Sequence, residues 1–175
     1  MTYGEKPGVV WVTGLSRSGK STVAGILQDK YVRAGIRPIL LDGETIRQMI
    51  VETPSYSLEE RRKLASLYGK LAQEFVRQGH LVICATISLF REVHIWNRDN
   101  LPNYFEVWLR VPMEELRRRD YGRLYNVDPV MRGPLAGIEL AVDFPAAPDL
   151  VIDNFGEITP ACAAGMIMKQ ISKGS

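Results

Sequence analysis

Little in this chain suggests a scaffold of covalent or metal cross-links. It has 2 cysteines and 2 histidines in 175 residues. Cys84 and Cys162 lie far apart in apolar surroundings, and neither His80 nor His94 has a second ligand at metal spacing, so a disulfide or zinc framework is excluded. The expectation is two buried free thiols. Charge of one sign is also missing. Lys and Arg number 22 against 20 Asp and Glu, so no broad basic field points to nucleic acid or an anionic membrane. The run Arg117-Arg118-Arg119 is better explained as the charged end of a helix. No apolar run approaches the ~18 residues needed to cross a bilayer, and Met1 to Gly8 has no apolar signal-peptide core. A cytoplasmic location without membrane contact is the expectation.

What is present reads as alternating strands and helices. Val9 to Thr13 is a short β-branched run, the mark of a buried parallel strand. A helix follows over about 19–34, closed by Gly35. Pro38 to Leu41, Leu81 to Ala85, Phe105 to Leu109 and Leu150 to Asp153 are further strands. Helices are expected over about 44–51, 57–78 and 91–100, after Pro112, and from Pro160. Ser57 with Glu60 is a capping box. Residues 121–148, with Pro129, Pro134, Pro145 and Pro148, form a long irregular stretch of the kind that serves as a lid. One α/β domain spanning 1–175, with a parallel five-stranded sheet and right-handed crossovers, is the implied architecture. Trp96 and Trp108 are expected to serve the core.

Gly14-Leu15-Ser16-Arg17-Ser18-Gly19-Lys20-Ser21 fits the pattern G-x-x-x-x-G-K-[ST], with a strand before it and a helix after it. Glycines let several backbone N–H groups turn inward on phosphate oxygens, and the helix adds its positive end. The loop 14–22 is therefore the nucleotide cradle: Gly14, Ser16, Arg17, Ser18, Gly19, Lys20, Ser21 and Thr22 are its binding residues. Lys20 would reach the β- and γ-phosphates and the Ser21 hydroxyl would ligate Mg²⁺.

A second constellation, Asp42-Gly43-Glu44-Thr45-Ile46-Arg47, emerges at the carboxyl edge of the sheet, where ligands of open α/β sheets bind. Asp42 is placed to orient Mg²⁺-bound water or to accept a proton from an attacking hydroxyl. Arg47 is placed to hold an anionic substrate or the transferring phosphoryl group. The alternative is a helix N-cap at Asp42 with a solvated helix behind it.

The phosphate loop, Leu41-Asp42-Gly43-Glu44 with Arg47, Ala85-Thr86-Ile87-Ser88-Leu89-Phe90-Arg91, Arg119-Asp120 and Pro148 to Asp153 together resemble the adenylylsulfate kinases from about residue 8 to residue 170. The resemblance implies a P-loop NTPase three-layer sandwich and transfer of the ATP γ-phosphate, with Mg²⁺, to the 3′-hydroxyl of adenylylsulfate. It implies catalytic roles for Lys20 and Asp42 and a place near adenine for Arg119. It carries acceptor binding onto Asp42, Glu44, Arg47, Tyr56, Arg61, Ile87, Ser88 and Arg91. Family members are commonly dimers, so a homodimer is implied as well.

The departures lie on the acceptor side. The family's Asn-Ile-Arg triplet, which grips the acceptor, falls on Leu64-Ala65-Ser66. Leu89 replaces a proline, Glu139 replaces an aspartate, and 126–136 keeps Arg132 where several lysines are usual. This pattern is similar to the capsule-modification branch that phosphorylates cytidine diphosphoramidate, which stands as the alternative acceptor. From a different class, a nucleotide-binding switch without transfer would keep the loop and lose turnover.

Overall fold

The computed structural model describes residues 8–50, 57–120, 124–125, 127–128 and 133–173. Their strands are β1 (Val9–Thr13), β2 (Ile39–Asp42), β3 (Val82–Ala85), β4 (Tyr104–Arg110) and β5 (Leu150–Asp153). The helices are α1 (Lys20–Arg33), α2 (Gly43–Ile50), α3 (Leu58–Arg77), α4 (Arg91–Asn100), α5 (Met113–Arg119) and α6 (Pro160–Lys173). The sheet runs β2-β3-β1-β4-β5, and every pairing is parallel.

Alternation along each strand sorts the core into two sides. Val10, Val12, Ile83, Ala85, Val107 and Leu109 pack with Val23, Leu27 and Tyr31 of α1 and Ala163, Ala164 and Ile167 of α6. Val9, Trp11, Leu41, Val82 and Cys84 pack with Leu64, Ala65, Tyr68 and Ala72 of α3 and Val93 of α4. Strands buried on both faces need continuous apolar runs, which is why β1 and β3 read so clearly. The result is the expected three-layer P-loop NTPase sandwich. A third, smaller cluster joins Leu15, Leu89, Leu116, Tyr125 and Leu135, so the described part of the long stretch after α5 is seated beside the phosphate loop.

Helix ends follow the sequence signals. Ser57 Oγ accepts from Glu60 N at 3.2 Å, and Gly35 takes a left-handed φ of 81° after α1. Pro160 opens α6, where its missing N–H costs nothing. One expectation needs correction. Cys162 is exposed, while Cys84 is buried; position 162 lies on the outer side of α6. His94 Nδ1 lies 2.7 Å from Glu106 Oε1 and Nε2 lies 3.2 Å from Asp143 O. Its role is structural. Glu106, buried on β4, also accepts from Tyr104 OH at 2.8 Å, and its own N–H donates to Asp149 Oδ2 at 2.7 Å. This network fixes the chain entering β5. Trp96 packs against the α3–α4 side of the core, and Trp108 stacks on Phe144 with ring centroids 5.0 Å apart.

The crossing of α3 and α4 depends on a small residue. A Cβ on Gly69 would lie 2.7 Å from Asn97 Oδ1 and 3.0 Å from the Trp96 ring. Alanine favours a helix over glycine by about 1 kcal/mol, but overpacking a tight contact costs about 1–3 kcal/mol. Gly69→Ala should therefore destabilise the fold, read as a lower urea midpoint at unchanged m value; a raised midpoint would show that the helices separate freely.

Candidate active site

The site is built at the carboxyl edge of the sheet, where β1, β2 and β3 end. The phosphate loop leaves β1 at Gly14, whose φ is 149° and whose missing Cβ would otherwise lie 2.6 Å from Leu109 O. Gly19 closes the loop at φ 94°, against Asn154 Nδ2 at 2.8 Å from a hypothetical Cβ. Between them Lys20 Nζ donates to Leu15 O at 2.8 Å. Asn154, just past β5, donates from Nδ2 to Ser18 O at 2.8 Å, and Tyr125 OH donates to Ser16 O at 2.8 Å. Burial pushes the Lys20 ammonium down to about 8, against the pull of Asp42 and Glu44, which favour its charge.

Asp42 caps α2 and also meets the phosphate loop. Oδ1 accepts from Thr45 N at 3.0 Å, capping α2, while Oδ2 accepts from Ser21 Oγ at 2.5 Å. The start of α2 is held from behind by Tyr68 OH, which donates to Gly43 O at 2.9 Å. Burial, with smaller effects from Cys84, Glu44 and Asp42 and against Arg47, pushes the Tyr68 phenol up to about 12. It therefore stays a donor at any ordinary pH.

Two cavities of about 460 Å³ each meet at the loop. The first is lined by Ser16, Asp42, Glu44, Arg47, Arg61, Ile87 and Ser88, with an apolar wall from Leu58, Leu64, Phe90, Leu124 and Val142. The second is lined by Gly19, Thr22, Arg119, Asn154, Ile158 and Pro160. Arg17, Lys20 and Ser21 line both. Ser88 holds a left-handed φ of 24° and shares a 2.8 Å hydrogen bond with the Thr86 hydroxyl. Arg61 Nη2 donates to Pro134 O at 2.8 Å, joining α3 to the stretch that follows α5.

Most of the expected site residues thus come together, and the exceptions have physical reasons. Gly14 and Ser18 lie beneath the loop, buried, and shape it without lining a cavity. Arg91, the first residue of α4, is exposed and outside both cavities; its backbone N–H donates to Asp143 Oδ2 at 3.1 Å. Ser66 is exposed on the outer face of α3, so of the altered triplet Leu64 alone lines the first cavity. Tyr56 and Arg132 lie outside the described residues. Arg119 is oriented by Glu115 Oε1 at 2.8 Å and by Asn154 O at 2.7 Å.

Sequence reasoning missed Asn154, Tyr68 and the apolar wall. Asn154 had a signal, since it follows a strand at the ligand-binding edge. Tyr68 had one too, lying four residues beyond Leu64 on one helix face.

A profile of the family described as adenylylsulphate kinase matches residues 6–153. The chain belongs to this family. A cytidine diphosphoramidate kinase of Campylobacter jejuni is 35% identical over 154 residues, covering 85% of this chain and 86% of that one. A probable adenylyl-sulfate kinase of Halalkalibacterium halodurans is 37% identical over 153 residues, covering 83% and 74%. The Mycobacterium tuberculosis APS kinase CysC, solved with AMPPNP and APS, superimposes with a TM-score of 0.84 at 27% identity over 96% of this chain and 99% of that one. As an adenylylsulphate kinase family member, the protein is an ATP-using kinase that transfers a phosphoryl group to a hydroxyl. No helix among the described residues is long and apolar enough to cross a membrane.

The lowered Lys20 group gives a pH dependence. Lys20 loses its proton in the free enzyme through about pH 8, so kcat/KM for ATP should fall above that pH. Bound phosphates favour the charged form, so the alkaline limb of kcat should lie higher than that of kcat/KM. Coincident limbs would exclude Lys20 as the titrating group. Stability moves the other way: between about 8 and the ordinary value of 10.5 the unfolded chain binds the extra proton, and this residue's contribution rises with pH.

Proposed function

We propose that the protein transfers the γ-phosphoryl group of Mg²⁺–ATP to a hydroxyl of a small anionic nucleotide, with the 3′-hydroxyl of adenylylsulfate as the first reading. The observation that carries it is the pair of cavities meeting at Arg17, Lys20 and Ser21 with Asp42 at the seam. The cavity of Arg119 and Asn154 takes the nucleoside end of ATP, and the loop amides and Lys20 take its phosphates. The acceptor occupies the first cavity, its anionic group on Arg47 and Arg61 and its hydroxyl towards Asp42. The oxygen-only donors Ser21 Oγ and Asp42 Oδ2 suit Mg²⁺, a hard ion that keeps water and phosphate ligands. When bound, that ion offsets charge on the phosphates.

In transfer, the acceptor oxygen forms a bond to the γ-phosphorus. The bond from phosphorus to the bridging oxygen breaks with its electron pair on ADP, and the hydroxyl proton passes to the Asp42 carboxylate. Positioning and fixed charge supply most of the rate. Within this reading, residues 1–175 form one kinase domain with 121–148 as its lid, and a homodimer is expected from the resemblance.

A second acceptor, cytidine diphosphoramidate, is favoured by one observation. Leu64, 8% exposed, lines the acceptor cavity where the resembled kinases place an amide. A coupled ADP-release assay with each acceptor decides between them. Turnover with adenylylsulfate supports the first reading, and turnover with cytidine diphosphoramidate alone supports the second. ATP binding without acceptor-stimulated ADP release would point to a switch protein. Lys20→Ala should lower kcat by at least ~10³ with either acceptor, because it removes charge stabilisation of the transferring group. Leu64→Asn should raise kcat/KM for adenylylsulfate by about tenfold or more, the worth of one buried hydrogen bond; an unchanged value would remove Leu64 from the choice of acceptor.

A further inference from the structure

Arg17 has a feature that holding phosphate by backbone does not require. Its φ is 64°, in the left-handed region that favours glycine, so an L-residue stands where the backbone is strained. Its side chain is 46% exposed and lines both cavities at their junction. It is nonetheless aimed. Arg17 Nε donates to Asp120 Oδ1 at 2.8 Å, and the Asp120 side chain is fully buried.

This ion pair uses less of the guanidinium fork than three others in the molecule. Arg77 with Glu74, Arg110 with Asp153 and Arg118 with Glu115 each close two parallel hydrogen bonds, from Nε and Nη2. Arg17 closes one. Asp120 Oδ2 is already taken by the backbone N–H groups of Leu124 and Tyr125, so the carboxylate has no second oxygen for the guanidinium. Burial pushes the Asp120 carboxyl up, but the Tyr125 and Leu124 amides and Arg17 outweigh it, and the group is held below its ordinary range. The pairing therefore fixes the stem of the guanidinium and leaves both Nη groups uncommitted among the described residues.

We infer that Arg17 is a catalytic residue whose Nη groups bind the phosphoryl group in passage between the cavities, with Asp120 as its positioning residue. The inference rests on the donor site proposed above. As the bond to the acceptor oxygen forms and the bond to the ADP oxygen breaks, charge spreads over the equatorial oxygens, and a fixed two-donor fork gains most at that moment. This makes Arg17 an arginine finger supplied by the phosphate loop itself. Leu124 lines the acceptor cavity, so the carboxylate that aims Arg17 is also the one that seats part of the acceptor's wall.

The test uses the full chain with Mg²⁺, and calorimetry of ADP alone against ADP with aluminium fluoride, a stand-in for the phosphoryl group in transfer that needs no acceptor. Arg17→Gly should weaken the aluminium fluoride complex by at least ~30-fold and leave ADP within about threefold. Equal weakening of both ligands, or of neither, would overturn the inference. Asp120→Asn should weaken the aluminium fluoride complex less than Arg17→Gly and add nothing to it in the double variant; additive losses would show that Asp120 acts by another route. Lys20→Ala in the same series keeps the two proposals apart. If it still binds ADP normally, the donor-site reading fails, whereas loss there with a normal Arg17→Gly variant sinks the arginine alone.

Discussion

The direction of three carbonyls in the phosphate loop governs this molecule. Leu15 O is held by Lys20 Nζ, Ser16 O by Tyr125 OH and Ser18 O by Asn154 Nδ2, each at 2.8 Å. Such carbonyls, turned onto protein donors, leave the loop N–H groups and the first turn of α1 to face an anion. Two of the three donors come from beyond β4. The cradle that the sequence places in 14–22 is thus completed by residues more than a hundred positions later. The parallel sheet makes this possible, because it brings every strand's carboxyl end to one edge. Gly14 and Gly19 are required for the same reason: a side chain at either would meet Leu109 O or Asn154 Nδ2 below 3.0 Å.

A similar economy governs the acceptor side. Asp42 caps α2 through one oxygen and meets Ser21 through the other, so the rigidity of the helix start is also the rigidity of this carboxylate. Tyr68 holds Gly43 O from the far side, and a Cβ on Gly43 would lie 3.0 Å from the Thr86 hydroxyl. Arg47 follows one turn later on the same short helix and reaches the cavity from a fixed base.

Strands and helix starts were legible because burial on two faces and capping leave local marks: β1 as an apolar run, α3 as Ser57 with Glu60, α1 as a glycine loop before Lys20. The acceptor wall was not. Leu58, Phe90 and Val142 line a cavity, yet in sequence they are indistinguishable from core residues. Ser66 shows the complementary error. Linear matching put it in the acceptor grip, but two residues along a helix from Leu64 is a turn of about 200°, and the side chain points to solvent. Arg91, the first residue of α4, is exposed and lines neither cavity. Asn154 and Tyr125 act through single contacts across the fold, which no local pattern encodes.

Charge explains how a nearly neutral protein is suited to two anionic ligands at once. The chain's formal net charge is +2, yet Arg17, Lys20, Arg47 and Arg61 converge on the first cavity against Asp42 and Glu44. At distances of a few ångströms this local excess outweighs the distant field, which salt screens. The two carboxylates matter as much as the cations. They draw protons towards Lys20 against burial, and phosphate arriving at the loop adds to that pull. Bound phosphate therefore keeps Lys20 charged to a higher pH than in the empty site.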